Sequence, residues 1–571
     1  MPLESLPNEI WLIVCSFLKI KDALRAFGEL NYRFSGILIE HMKRYGFDFR
    51  SISLTAFKFM CEQFIQSNAS AMKKLCLSDD DETPYETKLF LQYGFTFDKF
   101  ISLNSLTLCE LQSDEIWRSL NNASSHLINL TNIKLIKCFI SSDHDSIFNE
   151  IWKLPKLTCA HLDMAFVCRL PNLRDMITHS KTLKYLTLQG ISGYRSEHKD
   201  TFLKCTPDLE FLSLRIDDGI FFLPQSVMLS LTHGEFVVHG GSAILNDILY
   251  NAPNLCHLKI RLSSYCIDGN QWEKIIKEHL LKLETFAFTM SFDCPRSDYD
   301  QKMKQLIESF TNQFWLIERK WYVRFYSSCF PDTSHIYCYT IPYVFSDYEF
   351  NSSRSLIKST CPNPNDYWSY DSVETLRFID RSSPQSSEMC PQIRFFNVRQ
   401  LEIINRNTDT SWSIVRQLNK LEFVKFSDVT DDEISDSFVE TLLNNHAIHL
   451  DSLSLYPELF FLNKANIRRL NIEPFEYDLS EQLCLELSRS VLLNRCEVLS
   501  IKIHKIEYLL PIIQNATYLR TLKIGSANNY HEKESIEKHD TTIETLRSYL
   551  PSTAVIERVQ EQKSVIRVWI R

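Results

Sequence analysis

Leu183-Lys184-Tyr185-Leu186-Thr187-Leu188 and, 26 residues on, Leu209-Glu210-Phe211-Leu212-Ser213-Leu214 share one pattern, apolar-x-x-apolar-x-apolar. Further copies begin at Leu103, Leu130, Leu255 and Leu283, and again at Val373, Val398, Leu421, Leu450, Ile467 and Leu519; Cys496 opens a weaker one. The alternation at the end of each copy puts its apolar residues on one face of a short strand. Successive starts differ by 25 (373 to 398), 23 (398 to 421) and up to 29 (421 to 450) residues.

Helix-compatible stretches such as 432–444 and 480–492 separate the copies. Strand then helix at this period predicts an α/β fold in which parallel strands stack side by side as a curved solenoid. The period, one strand per ~20–29 residues, is that of leucine-rich repeats. The Asn or Cys that usually follows the strand is mostly absent, so the body resembles the irregular members of that class. Amphipathic α/β segments in another kind of stack are the alternative.

Residues 291–370 break the rhythm. Fourteen aromatic residues fall between Phe310 and Phe350, and alternating segments at 320–327 and 335–341 flank Pro331-Asp332-Thr333-Ser334, predicting a hairpin. Rings at this density suit a binding interface and equally suit plain packing where a repeat body widens. The stretch 360–365, Thr-Cys-Pro-Asn-Pro-Asn, reads as a loop. The expected organisation is a helical module at 1–50, repeats at 51–290, the aromatic-rich segment at 291–370 and further repeats at 371–571.

The module begins at Leu6-Pro7. Pro7 suits a first helical turn, and Ile10, Ile13, Val14, Phe17 and Leu18 form one apolar stripe. Asp22 is placed to cap a second helix with Leu24, Phe27 and Leu30 on its buried face, and Asn31 a third striped by Phe34, Ile37, Leu38, His41 and Met42. About forty residues bury too little surface to be secure alone, so this head must dock on the body, on a partner, or on both.

The order Leu6-Pro7-x-Glu9-Ile10-x-x-Ile13-x-x-x-Phe17-Leu18-x-x-x-Asp22-x-Leu24-x-x-Phe27-x-x-Leu30-Asn31-x-Arg33-Phe34 resembles an F-box, over residues 3–45. Where many F-boxes have Val-Cys-x-x-Trp, this chain has Leu30-Asn31-Tyr32-Arg33-Phe34. The resemblance implies a three-helix module that binds the adaptor subunit of SCF-type (cullin–RING) ubiquitin ligases, and through it a cullin. Carried over by position, the adaptor contacts are Leu6, Pro7, Ile10, Ile13, Phe17, Leu18, Leu24 and Phe27. A plain helical cap on the first repeat is the competing expectation.

In each repeat strand the residues between the apolar ones face outward. The candidates to hold a protein target on that face are Tyr185, Phe211, Arg215, His257, Lys259, Arg261, Arg377, Phe423, Lys425 and Lys523; Thr521 belongs to the same row. Several basic residues there hint at a target with acidic features.

Composition narrows the function. Net charge is −9 and no basic cluster marks a nucleic-acid or membrane partner; no run of eighteen apolar residues suggests a membrane span. The acidic start, with Glu4 and Glu9, is unlike a secretory signal, and 17 scattered cysteines without a C-x-x-C read as reduced thiols of a cytoplasmic or nuclear protein. Only 12 glycines occur and no phosphate-binding or nucleophile-elbow motif appears. Asp143-His144-Asp145, His446-x-x-His449 and His239-Gly240-Gly241-Ser242 lack the partners for metal or acyl chemistry. The expectation is no enzyme, no metal and no cofactor, but a substrate receptor or, alternatively, a protein-binding repeat scaffold; an active site hidden in 291–370 is the remaining rival.

Overall fold

A computed structural model describes residues 6–18, 20–27, 30–111, 114–139, 147–164, 179–189, 205–216, 227–240, 243–329, 332–351, 354–363, 370–379, 394–404, 415, 417–427, 442, 447, 449–457, 460, 462, 466–472, 478–525, 537–559 and 564–571. The fold is α/β with sheets rich in parallel pairing. The chain divides into two compact units, one of 1–258 with 279–283 and residue 571, the other of 259–278 with 284–570. No helix among the described residues is long and apolar enough to cross a membrane.

In the first unit three helices lead, α1 (Asn8–Ser16), α2 (Ile20–Phe27) and α3 (Tyr32–Tyr45). Asn31 caps α3 as expected, its Oδ1 accepting the Phe34 N–H at 3.1 Å, and Phe34, Ile37, Leu38, His41 and Met42 are all buried. Two expectations fail. Asp22 lies within the first turn of α2 rather than before it, because the helix already starts at Ile20. Leu30 is exposed, since it falls in the turn after α2 and not on its inner face.

Parallel strands then follow in chain order: β1 (Phe47–Asp48), β2 (Lys74–Ser78), β3 (Ser105–Cys109), β4 (Asn132–Cys138), β5 (Cys159–Met164), β6 (Tyr185–Gln189), β7 (Phe211–Ile216) and β8 (His233–His239). Their registers make two inward columns, Leu75–Leu106–Ile133–Ala160–Leu186–Leu212–Gly234 and Leu77–Leu108–Leu135–Leu162–Leu188–Leu214–Phe236. The leucines of these columns are nearly all shut off from solvent, each contributing roughly 1.5–3 kcal/mol of transfer free energy. At the start of each strand from β3 to β8 two successive N–H groups donate to one carbonyl of the preceding turn: Asn104 and Ser105 to Lys73, Thr131 and Asn132 to Asn104, Thr158 and Cys159 to Thr131, and so on to Thr232 and His233 on Glu210. This stitch recurs because the chain re-enters the sheet at the same point in each turn.

Strands β2, β5 and β8 are not among the copies read from the sequence. Their patterns carry Met72, Ala160 and Gly234 where leucine is the rule. Gly234 is imposed by its neighbour: a Cβ there would stand 2.6 Å from the Phe236 ring.

Strand β9 (His257–Ser263) contains the division between the units. In the second unit β10 (Thr285–Pro295), β11 (Tyr322–Cys329), β12 (Thr333–Ile341), β13 (Asp347–Asn351) and β14 (Ser355–Ser359) follow. The predicted hairpin is present as β11–β12, antiparallel from Tyr322–Ile341 to Cys329–Ser334, and β10 and β14 flank it in the order β10-β12-β11-β14. Then come β15 (Thr375–Ile379), β16 (Gln400–Ile404), β17 (Phe423–Ser427), β18 (Ser452–Ser454), β19 (Arg469–Asn471), β20 (Val498–Lys502), β21 (Thr521–Gly525), β22 (Val555–Arg558) and β23 (Ile566–Trp569). With β13 at its start, this sheet is parallel through β21 and closes on β23 and β22, antiparallel. The helix expected at 480–492 spans Glu481–Arg489 behind an Ser480 cap; the stretch 432–444 lies, save for Leu442, outside the described residues.

The aromatic segment is packing. Tyr326, Tyr339, Tyr343, Tyr348 and Tyr370 are buried together where the two sheets of this unit part. Four of these hydroxyls are used inside: Tyr370 accepts from Arg324, Tyr339 pairs with Tyr348 at 3.2 Å and with Tyr370, and Tyr343 donates to the Asp347 carbonyl at 2.7 Å. Tyrosine fits a gap too wide for leucine in which a polar tip can still be satisfied.

Candidate protein-interaction surfaces

Helix α1 is apolar on both sides, and the fold uses one of them. Trp11 and Cys15, one turn apart, face inward; Trp11 lies edge-on to Phe27 at 5.2 Å and to Phe34 at 4.9 Å, while Phe27 stacks on Phe34 at 5.5 Å. The sequence-derived stripe occupies the other side. Ile10, Ile13 and Val14 are exposed, and Phe17 is 84 % exposed. Pro7 is exposed too, Leu6 and Leu18 are half-buried, and the Leu24 side chain lies outside the described residues. Phe27 is half-buried within the ring cluster. Two further apolar residues of the head are exposed and were not among the candidates: Leu30 and Tyr32, the latter 94 % exposed. An aromatic ring immediately after a helix cap was the available signal.

The lead-in to α1 is tied down from α3. Arg33 donates through Nε to Asn8 Oδ1 at 2.8 Å and through Nη2 to the Leu6 carbonyl. The Trp11 N–H reaches the Pro7 carbonyl at 3.3 Å.

On the outward face of the first unit, Tyr185, Phe211 and His233 share one register column. The Tyr185 and Phe211 rings are 6.3 Å apart, and His233 stacks on His257 at 4.3 Å. His233 was missed, since its strand was; burial, then the neighbouring His257, lowers its pKa. Arg215 is exposed on its strand, as is Lys259, the first residue of the second unit.

In the second unit most candidate cations are already matched. Arg261 forks onto Asp347, with Nη1 at 2.8 Å, and lies over the Phe345 ring at 4.3 Å. Lys425 is 2.7 Å and Arg377 3.3 Å from Glu402, and Arg377 is also 3.7 Å from Glu349. Arg377 and Lys425 alternate with carboxylates of neighbouring strands in one column, Glu349–Arg377–Glu402–Lys425, so this part of the outward face carries both signs. Phe423 and Lys523 are half-buried. Thr521, assigned to the exposed row, is buried because β23 lays Trp569 opposite it.

No group of three or more His, Cys, Asp or Glu among the described residues is placed to hold a metal. Asp143-His144-Asp145, His446, Gly241 and Ser242 lie outside the described residues. In the aromatic segment His335 Nδ1 is 2.8 Å from Asp293 Oδ1, opposite it across the β10–β12 pair and partly open to solvent. No disulfide joins the cysteines whose side chains are described, and most are pushed up in pKa by burial, Cys266 to about 11 and Cys496 to about 12. No known family model matches the chain, and no curated protein matches it either.

Proposed function

We propose that the chain is the substrate-recognition subunit of an SCF-type ubiquitin ligase, a binding protein without catalysis of its own. Its first three helices have the character of an F-box module that grips the ligase's adaptor subunit, and its strand-and-helix repeats form an irregular leucine-rich solenoid that holds a protein target in the cytoplasm or nucleus. The observation that carries this reading is the outer side of α1, where Ile10, Ile13, Val14 and Phe17 stand in water. A contiguous apolar patch of this kind marks an interaction site on a soluble protein, and the F-box-like residue order names the partner. Rate gain would come from proximity, through the effective concentration of target lysines near the charged conjugating enzyme.

The test is direct titration of the full chain with the purified adaptor subunit. A complex weakened by Phe17→Asp, or by Leu6→Asp with Pro7→Ala, supports the reading. Absence of a complex from the parent chain defeats it in favour of a repeat scaffold whose helical head is only a cap. Hydrogen exchange separates these two as well, because the outer side of α1 gains protection on adding the adaptor only if it is gripped.

A further inference from the structure

We propose that Arg33 is a positioning residue for the adaptor surface, acting through the backbone that leads into α1; this rests on the ligase-subunit reading. Leu6-Pro7 leads into the helix at Asn8, and Pro7, at the cap position, has no side-chain hydrogen bond to offer the first turn. Its lack of an N–H also leaves the lead-in one donor short. The Trp11 N–H on the Pro7 carbonyl is a bond of α1 itself, so it fixes the helix start but not the direction from which the chain arrives.

Arg33 supplies that direction. Its guanidinium forks across two acceptors on either side of Pro7, the Leu6 carbonyl and Asn8 Oδ1. The fork is rigid and planar, so holding both acceptors fixes an angle and a distance together. Arg33 itself is set by the start of α3, where Asn31 caps the Phe34 N–H and the Phe34 ring packs on Trp11 and Phe27. The chain of contact therefore runs from the ring cluster through Arg33 to Leu6 and Pro7. Pro7 is solvent-facing on the same helix end as Ile10 and Ile13, so a partner that covers α1 meets the lead-in that Arg33 aims.

Affinity for the purified adaptor subunit is measured on the full chain for Arg33→Ala, Arg33→Lys, the pair Leu6→Ala with Pro7→Ala, and all three alanines together. Arg33→Ala is expected to weaken binding about 10-fold. Lysine, a single point donor that cannot fork, falls between. The triple variant binds about as well as the Leu6, Pro7 pair, because the effects run through the same backbone and do not multiply. Hydrogen exchange of the free Arg33→Ala chain quickens at residues 8–12 while α3 keeps its protection.

Three results overturn the inference while leaving the ligase reading intact, provided Phe17→Asp still abolishes binding. They are Arg33→Ala binding like the parent, the Leu6, Pro7 pair binding like the parent, or effects that multiply in the triple variant. If the parent chain does not bind the adaptor, or Phe17→Asp leaves binding unchanged, both proposals fall.

Discussion

Arg520 donates through Nη1 to Glu497 across 2.7 Å, and both side chains stand on the column of residues whose backbones stitch one turn of the second unit to the next. Glu497 also lies 3.6 Å from Arg468 Nη1, and Arg468 in turn is 2.9 Å from Asp451. The run Asp451, Arg468, Glu497, Arg520 alternates in sign because each residue takes the place of its predecessor one turn on. The prediction is that Glu497→Ala costs about 2–3 kcal/mol in urea denaturation, more than an exposed pair and of the order seen when one partner of a largely buried pair is removed. Arg399→Ala, whose pair with Glu422 is solvent-exposed on both sides, costs at most about 1 kcal/mol. Equal losses from the two would refute the account.

Glu402 is a different case, since it gathers Lys425, Arg377 and the Ser427 hydroxyl at 3.0 Å. Burial alone pushes its carboxyl up, but the Lys425 hydrogen bond and charge, then Ser427 and Arg377, hold it below the ordinary value. A depressed folded pKa gives stability that is present above the unfolded value, about 4.3, and lost as pH falls through the folded one. Glu402→Gln should therefore be less stable than the parent by about 1 kcal/mol at neutral pH, with the gap closing on acidification. A gap that persists at low pH would point to packing instead.

Glu86 runs the other way. It is fully buried, accepts the Ser78 N–H at 3.0 Å, and its second oxygen has no hydrogen-bond partner among the described residues. Burial, with help from Asp79, Asp80 and Asp48 against the Ser78 bond, raises its pKa well above the usual carboxylate range. Here the unfolded chain loses its proton first, so native stability falls as pH rises from about 4.3. Glutamine, which cannot ionise, is expected to stabilise the fold near pH 7.5 by at least about 1 kcal/mol, the worth of under one pKa unit, and to make no difference near pH 4. Denaturation curves at the two pH values decide it; a variant less stable than the parent near pH 7.5, with the gap closing towards pH 4, would mean that Glu86 is ionised in the fold.

Strands β3, β4, β6 and β7 were legible because leucine or isoleucine fills all three apolar positions of the pattern, whereas β8 hid behind Gly234. The glycine makes sense only with the Phe236 ring above it, and a pattern of single letters does not record which of two neighbours fills a shared space. The same limit applies at α1. Periodicity marked Ile10, Ile13, Val14 and Phe17 as one side, but Trp11 and Cys15 form a second apolar side, and only the ring contacts of Trp11 decide which is inward. Matching of Arg377 and Lys425 by Glu402 was likewise invisible, since it depends on register between strands more than twenty residues apart.

That reading of Gly234 is itself testable. Gly234→Ala places a methyl 2.6 Å from the Phe236 ring, an overlap expected to cost about 1–3 kcal/mol. Adding Phe236→Leu to the same chain should recover part of the loss, because leucine leaves room for the methyl and restores the alternation seen in β6 and β7. Additive losses in the double variant would show that the glycine answers to backbone geometry and not to the ring.

The two sides of α1 make opposite predictions for stability. Trp11→Ala empties the space beside the stacked Phe27 and Phe34 rings and is expected to cost about 3 kcal/mol or more, enough to loosen the head, whose small core has little to replace the ring. Phe17→Asp, at a position where the ring meets solvent, should leave the thermal midpoint of the free chain nearly unchanged, as exposed substitutions stay within about 0.5 kcal/mol. It should also reduce self-association at high concentration, because an exposed phenylalanine beside Ile13 and Val14 is a ready hydrophobic contact. Light scattering and thermal melts on the two variants check both. A Phe17→Asp chain that melts well below the parent would mean that the outer side of α1 is held inside the molecule, and with that its availability to any partner is lost.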